Sequence, residues 1–158
     1  MILFASAIIS CDMDKKPYGV LSDDEAIQSV SDCRSYRTGL YVTMRYLTTG
    51  DFVYYSDIQT DLYHLVASSG NPYGTNIYTG SILPSLEEFE TIWGGYYGTI
   101  GSANFLITKT TPLLESNEFS EGEKMEMRRY MGEAMCIRAL CYYTLTDRFC
   151  EAYTRDNA

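Results

Sequence analysis

The stretch Ser120–Phe149, SEGEKMEMRRYMGEAMCIRALCYYTLTDRF, carries a start signal followed by a sustained helical period. Ser120-Glu121-Gly122-Glu123 fits a capping box, in which the serine oxygen accepts the N3 amide and the N3 glutamate reaches back to the serine amide. Beyond it Met127, Met131, Ala134, Arg138, Cys141 and Leu145 step by three or four residues. Tyr130, Ile137 and Tyr142 form a second line beside them. The pattern predicts one helix over Glu121–Phe149.

The same start signal occurs twice upstream, at Ser85-Leu86-Glu87-Glu88 and Ser22-Asp23-Asp24-Glu25. The first predicts a helix from Ser85 to Lys109 with Phe89, Ile92, Trp93, Tyr96, Ile100, Ala103 and Ile107 on one face. Gly94, Gly95, Gly98 and Gly101 each weaken that helix by about 1 kcal/mol relative to alanine, so close neighbours are expected against them. The second predicts a helix from Ser22 to Leu47 through Ala26, Ile27, Val30, Cys33, Tyr36, Leu40 and Met44. The connector Thr110–Phe119 is short and contains Pro112, which makes the last two helices antiparallel neighbours. Between the first two helices, Thr48–Pro84 holds one plausible short helix, Tyr55–Val66, then turn chemistry interleaved with tyrosine. No convincing β-alternation appears, so the fold class is all-α, helix pairs with long irregular loops.

Composition narrows the function. The 158 residues are 46% hydrophobic and 21% charged, which excludes a disordered tail and a charge-rich coiled coil. A net charge of −9 argues against nucleic acid, whose phosphates are bound by clustered Lys and Arg. Past the N-terminus no apolar run reaches the roughly 18–20 residues of a spanning helix. Residues 1–10 are apolar and small, like the core of a signal peptide, and end at Cys11. Ile8-Ile9-Ser10-Cys11 resembles a bacterial lipobox, which makes Cys11 the expected lipid attachment site and residues 11–21 a polar tether. Residues 22–158 would then be the helical domain.

Candidate functional side chains are few. The loop Asn71-Pro72-Tyr73-Gly74-Thr75-Asn76-Ile77-Tyr78 is the best ligand candidate. Tyr73 and Tyr78 offer apolar faces with a hydroxyl handle, and Asn71 and Asn76 can donate and accept to sugar hydroxyls. The competing account is an ordered surface loop whose tyrosines pack down on the scaffold. Trp93 lies in line with Phe89, Tyr96 and Ile100 and reads as core, as do Tyr36, Tyr96, Tyr130 and Tyr142. Arg138 on an apolar line predicts a buried guanidinium paired with a carboxylate; of Glu133 and Asp61, Glu133 stands five residues away, roughly 140° around the helix, and is the poorer partner. His64 has no nucleophile-like turn beside it, so a solvated or loop-anchoring role is expected. The acidic pairs Asp23-Asp24 and Glu87-Glu88 sit in first turns, where capping and the helix dipole explain them. Cys33, Cys136, Cys141 and Cys150 lack metal-ligand spacing and read as structural thiols, with no metal and no cofactor expected.

Two stretches carry a resemblance. Trp93-Gly94-Gly95-Tyr96-Tyr97-Gly98-Thr99-Ile100-Gly101-Ser102-Ala103-Asn104 is similar to the W-x-x-x-Y-x-x-I-x-x-A-N helix of the SusD/RagB family. Gly132-Glu133-Ala134 through Arg138-Ala139, Tyr142 and Leu145, followed by Arg148-Phe149, resembles that family's G-E-A-x-x-x-R-A-x-x-Y-x-x-L…R-F helix. Cys150 and Ala152 stand where the family has Gly and Pro. The resemblance implies a SusD-like scaffold of tetratricopeptide-like helix pairs, here its truncated N-terminal part. It implies a non-enzymatic, surface-exposed outer-membrane lipoprotein of Bacteroidetes, lipid-anchored and working with a SusC-like TonB-dependent transporter. Its ligand would be a nutrient, most often an oligo- or polysaccharide taken up through that transporter. The alternative is a helical-repeat scaffold that mediates protein–protein interaction without sugar binding.

Overall fold

The computed structural model describes residues 23, 25–64, 75–81, 85–151 and 154. Within them run α1 (Val30–Leu47), α2 (Asp51–Asp57), α3 (Thr75–Tyr78), α4 (Glu87–Glu115) and α5 (Glu121–Phe149), with no strand among the described residues. The class is all-α, as the periodicity predicts.

Three long helices make the body. Cys33 meets Thr110, and Tyr36 stacks on Phe105 at 5.2 Å, so α1 runs antiparallel to α4. Arg34 meets Glu126, and Arg37 meets Glu133, so α1 runs parallel to α5. Asn104 bonds Arg138, and Phe89 faces Phe149, so α4 and α5 are the expected antiparallel pair. The buried positions explain the packing. On α4 they are Ile92, Tyr96, Thr99, Ile100, Ala103, Leu106 and Thr110; on α5, Lys124, Met127, Tyr130, Ala134, Ile137, Cys141 and Leu145. Apart from the adjacent Thr99 and Ile100 these step by three or four residues, and α1 repeats Cys33, Leu40 and Leu47 at intervals of seven. That spacing keeps one narrow seam facing its partners along a helix, the geometry of shallow helix crossings. Cys33, Ala103, Ala134 and Cys141 are fully buried small residues at which backbones can approach closely.

The element boundaries differ from expectation in instructive ways. The first helix starts at Val30, not Ser22, because Ser29 is the working cap: its oxygen accepts the Asp32 amide at 3.2 Å. Asp32 in turn accepts from the Ser29 hydroxyl at 2.7 Å and the Gln28 amide at 3.2 Å. Ile27 is buried ahead of that start, which holds the non-helical entry against the core. The box at Ser85 is not formed; Leu86 is the N-cap of α4 and provides no side-chain bond. At its other end α4 passes Lys109 and Pro112 and stops at Glu115. A proline so near the C-terminus leaves a single carbonyl unbonded and ends the helix one turn later. The connector therefore shrinks to residues 116–120. The box at Ser120 forms with both bonds, and α5 has the predicted bounds.

The short middle helix is Asp51–Asp57, earlier than the Tyr55–Val66 expected. Gly50 precedes it at φ 58°, a left-handed conformation that glycine adopts without cost, and so the chain turns sharply out of α1. Phe52 then enters the core. A Cβ on Gly95 would lie 2.6 Å from Phe52 Cζ, so Gly95 is the close approach that the glycines of α4 predict. A methyl group on Gly94, Gly98 or Gly101 would instead meet nothing within 4 Å, so these three face open space.

Candidate ligand-binding surfaces

Of the residues the sequence singles out, Cys11, Asn71 and Tyr73 lie outside the described residues. Asn76 is in α3, and its side chain likewise lies outside what is described. Tyr78 is half-buried, and its hydroxyl lies 3.3 Å from His64 Nδ1, with the two rings edge to face at 6.3 Å. Next to it Ile77 is buried in the core. His64 thus takes the loop-anchoring role, and Tyr78 shares it.

Sequence reasoning missed an aromatic cluster. Trp93 and Tyr97 are 44% and 43% exposed, with ring centroids 4.9 Å apart, one turn from each other on α4. Phe149 of α5 abuts Trp93 edge-on at 5.1 Å and faces Phe89 at 6.5 Å. The expectation that Trp93 is core is therefore corrected: the buried line of α4 passes through Ile92 and Tyr96, and Trp93 stands about 100° off it. Tyr142 is exposed for the same reason, beside the buried Cys141, and Cys136 is exposed beside Ile137. Cys33 and Cys141 are the buried thiols, and their burial pushes the pKa of each upward. Adjacent residues of α4 can both be buried, as Thr99 and Ile100 are, so sequence pattern alone does not say that Ile92 turns inward and Trp93 outward.

Arg138 is likewise corrected. Its Nη1 donates to Asn104 Oδ1 at 2.7 Å across the α4–α5 seam, an amide partner in place of a carboxylate. The carboxylates serve the other seam. Glu133 pairs with Arg37 at 3.2 Å and Arg129 at 3.5 Å. Glu126 accepts from the Tyr130 hydroxyl and from Arg34 at 2.7 Å, and these bonds hold its carboxyl below the usual carboxylate range. Arg148 donates from Nη1 to the Phe52 carbonyl and so ties the end of α5 to α2. Among the described residues no group of three or more His, Cys, Asp or Glu could hold a metal ion, and no helix is long and apolar enough to cross a membrane.

These contacts give the two motifs a physical meaning. Ile100, Ala103, Ala134 and Leu145 form the seam's interior, while Trp93 with Phe149 and Asn104 with Arg138 clip it shut from outside. The SusD-like family model, described as starch-binding associating with the outer membrane, matches residues 13–158. The chain belongs to the SusD/RagB family. Comparison with curated proteins gave no match, and comparison with solved structures gave none. Within this SusD/RagB chain, the motif residues are chiefly those that lock α4 to α5, and the family's description is one of binding proteins. The binding chemistry has to be sought on the surfaces that this locked pair presents.

Proposed function

We propose that the chain is a surface-exposed, lipid-anchored protein of the bacterial outer membrane that binds a glycan and hands it to a SusC-like TonB-dependent transporter. The observation that carries this reading is the family match over residues 13–158, whose description joins starch binding to the outer membrane. Cys11 is the proposed lipid site, with residues 1–10 as the signal peptide and 11–21 as the tether from which the helical domain hangs. Two acyl chains on one cysteine give stable anchoring where a single chain gives marginal binding. Asn71, Tyr73, Asn76 and Tyr78 are the proposed ligand-binding residues of the loop, with Tyr78 held in place by His64. The role is binding, not catalysis.

Two experiments test it. Cys11→Ala is expected to move the protein from the membrane fraction to the soluble fraction; an unchanged membrane fraction overturns the anchor. Affinity purification from the native membrane is expected to bring down a β-barrel transporter. A protein–protein scaffold without sugar binding is the second reading. It draws on the exposed Tyr41, Val42 and Tyr46 of α1 and Leu140 and Tyr143 of α5, apolar surface of the kind partners cover. Capture of a peptide ligand, with no polysaccharide bound and no transporter present, decides for it.

A further inference from the structure

A notch opens where α2, the first turns of α4 and the end of α5 converge. Its larger part, about 250 Å³, has Phe89, Ile92 and Phe149 as an apolar floor and Ser56, Gln59 and Arg148 along its wall. It adjoins a second hollow of about 180 Å³ through the shared Tyr55 and Ile92, and there Glu87, Glu88 and Thr91 supply the polar wall. The floor belongs to the aromatic cluster, since Phe149 packs edge-on to both Phe89 and Trp93.

We propose that this notch is a binding subsite for an uncharged pyranose unit of a saccharide. Three observations converge on that ligand. The floor presents aromatic and aliphatic carbon, which suits the C–H face of a sugar ring. The wall presents acceptors and donors without protein partners: among the described residues no hydrogen bond or ion pair engages the Ser56 or Thr91 hydroxyls or the Glu87 and Glu88 carboxylates. Carboxylates accept from two hydroxyls at once, the arrangement that vicinal sugar hydroxyls offer. Gln59 spends Nε2 on the Tyr55 carbonyl at 3.2 Å, which leaves its Oε1 as a further acceptor.

Charge selects among saccharides. Among the described lining residues Arg148 is the cation, on the larger hollow, and its bond to the Phe52 carbonyl leaves its charge in place; Glu87 and Glu88 on the adjoining hollow make the two hollows together net negative. With a chain of net charge −9 behind it, the notch repels uronate and sulfate groups and favours neutral rings. Its volume of about 250 Å³ lies just below the roughly 300–1,000 Å³ of small-molecule sites, room for about one ring.

This assignment rests on the saccharide-binding reading above, and the test separates the two. The full chain is titrated calorimetrically with maltoheptaose, cellohexaose and xylohexaose, and with oligogalacturonate as the anionic counterpart. The expected result is binding of at least one neutral oligosaccharide and none of oligogalacturonate. Glu88→Gln with Thr91→Val should then weaken the Kd about tenfold, a loss of the order of one charge-assisted hydrogen bond, with helix content unchanged. Adding the bound oligosaccharide should also shift the Gln59 side-chain amide resonances. If a neutral oligosaccharide binds and neither the Kd of the double variant nor the Gln59 amide responds, the notch is overturned and the saccharide-binding reading stands. If oligogalacturonate binds in preference, the charge argument and the notch fall together. If no saccharide binds, both readings fall.

Discussion

Gly95 and Gly98 sit three residues apart on one helix and are opposite cases. A methyl group at Gly95 would lie 2.6 Å and 2.9 Å from two atoms of the Phe52 ring, itself buried and wedged between Tyr46 and Tyr96 at 5.2 and 5.6 Å. The ring has no room to retreat, so Gly95→Ala should destabilise the chain by about 1–3 kcal/mol, the usual cost of overpacking. At Gly98 a methyl meets nothing within 4 Å, and only the helix-propensity gain remains. Gly98→Ala should therefore stabilise by about 0.5–1 kcal/mol. Denaturant unfolding of the two variants should give shifts of opposite sign; equal signs would mean that Phe52 does not occupy the Gly95 notch. The sequence shows glycines in a helix and implies close packing, but four of them look alike along one strand of text. Only the entry of Phe52, set by the turn at Gly50, says which one is needed. Trp93 poses the same difficulty. Its neighbour Ile92 fits the buried line equally well, and which of the two turns inward is decided by the three-helix register and not by hydrophobicity.

Helix starts are governed by short-range bonds, and their legibility follows from that. Ser120 begins α5 as predicted because nothing competes: the box is complete, and the 29-residue stripe after it is unbroken. α1 starts after Ser29 and not at the expected Ser22 box, because burial of Ile27 sets the path of entry, a tertiary fact absent from local pattern. Pro112 marks the end only loosely: α4 runs through it to Glu115, six residues past the expected Lys109, with the proline inside its last turn. Two of these starts make a prediction about acid. Asp32 is held below its ordinary 3.8 chiefly by the Ser29 hydroxyl, and Glu123 below its ordinary 4.5 by the Ser120 hydroxyl, then by the Ser120 amide. A carboxyl with a depressed folded-state pKa contributes stability that is complete above its ordinary value and disappears as pH falls through the folded value. The Tm should thus decline as pH drops below about 4.5, and Ser29→Ala with Ser120→Ala should lower the Tm at pH 7. The same pair should partly flatten the acid side of the profile, since the alanines remove the hydroxyl bonds that depress both groups while the Gln28 amide bond to Asp32 and the residue-120 amide bond to Glu123 remain. A double variant with an unchanged Tm-versus-pH slope would show that the acid sensitivity comes from elsewhere, with the Glu126 network of Tyr130 and Arg34 the next to probe.

For the molecule as a whole, the question is whether α1, α4 and α5 open together. The family resemblance was legible in two motifs because those residues lock α4 to α5; the docking of α1 on that pair was not, since its contacts join residues some 77 to 96 positions apart. Two buried thiols report on the two parts. Cys33 on α1 lies 3.5 Å from the Thr110 hydroxyl of α4 and is fully buried at the three-helix contact. Cys141 is fully buried on α5. Burial raises both thiol pKa values, so neither offers much thiolate at neutral pH while the bundle is closed. Cys136 and Cys150 are exposed and serve as internal controls. In a Cys11→Ala background, alkylation under native conditions should label Cys136 and Cys150 promptly, and Cys33 and Cys141 only as the bundle opens. If the three helices form one cooperative unit, the two protected cysteines should react at the same opening rate, and that rate should rise in parallel for both when Gly95→Ala loosens the core. Faster labelling of Cys33 than of Cys141 would show instead that α1 undocks from a pair that stays closed. The distinction bears on binding. The subsite between α2, α4 and α5 includes residues that reach the bundle through Phe52, and Phe52 packs against Tyr46 at the end of α1 as well as against Tyr96 of α4. A helix α1 that undocks on its own would loosen α2 and weaken any ligand held there, so occupancy of the notch should slow Cys33 alkylation in proportion to saturation.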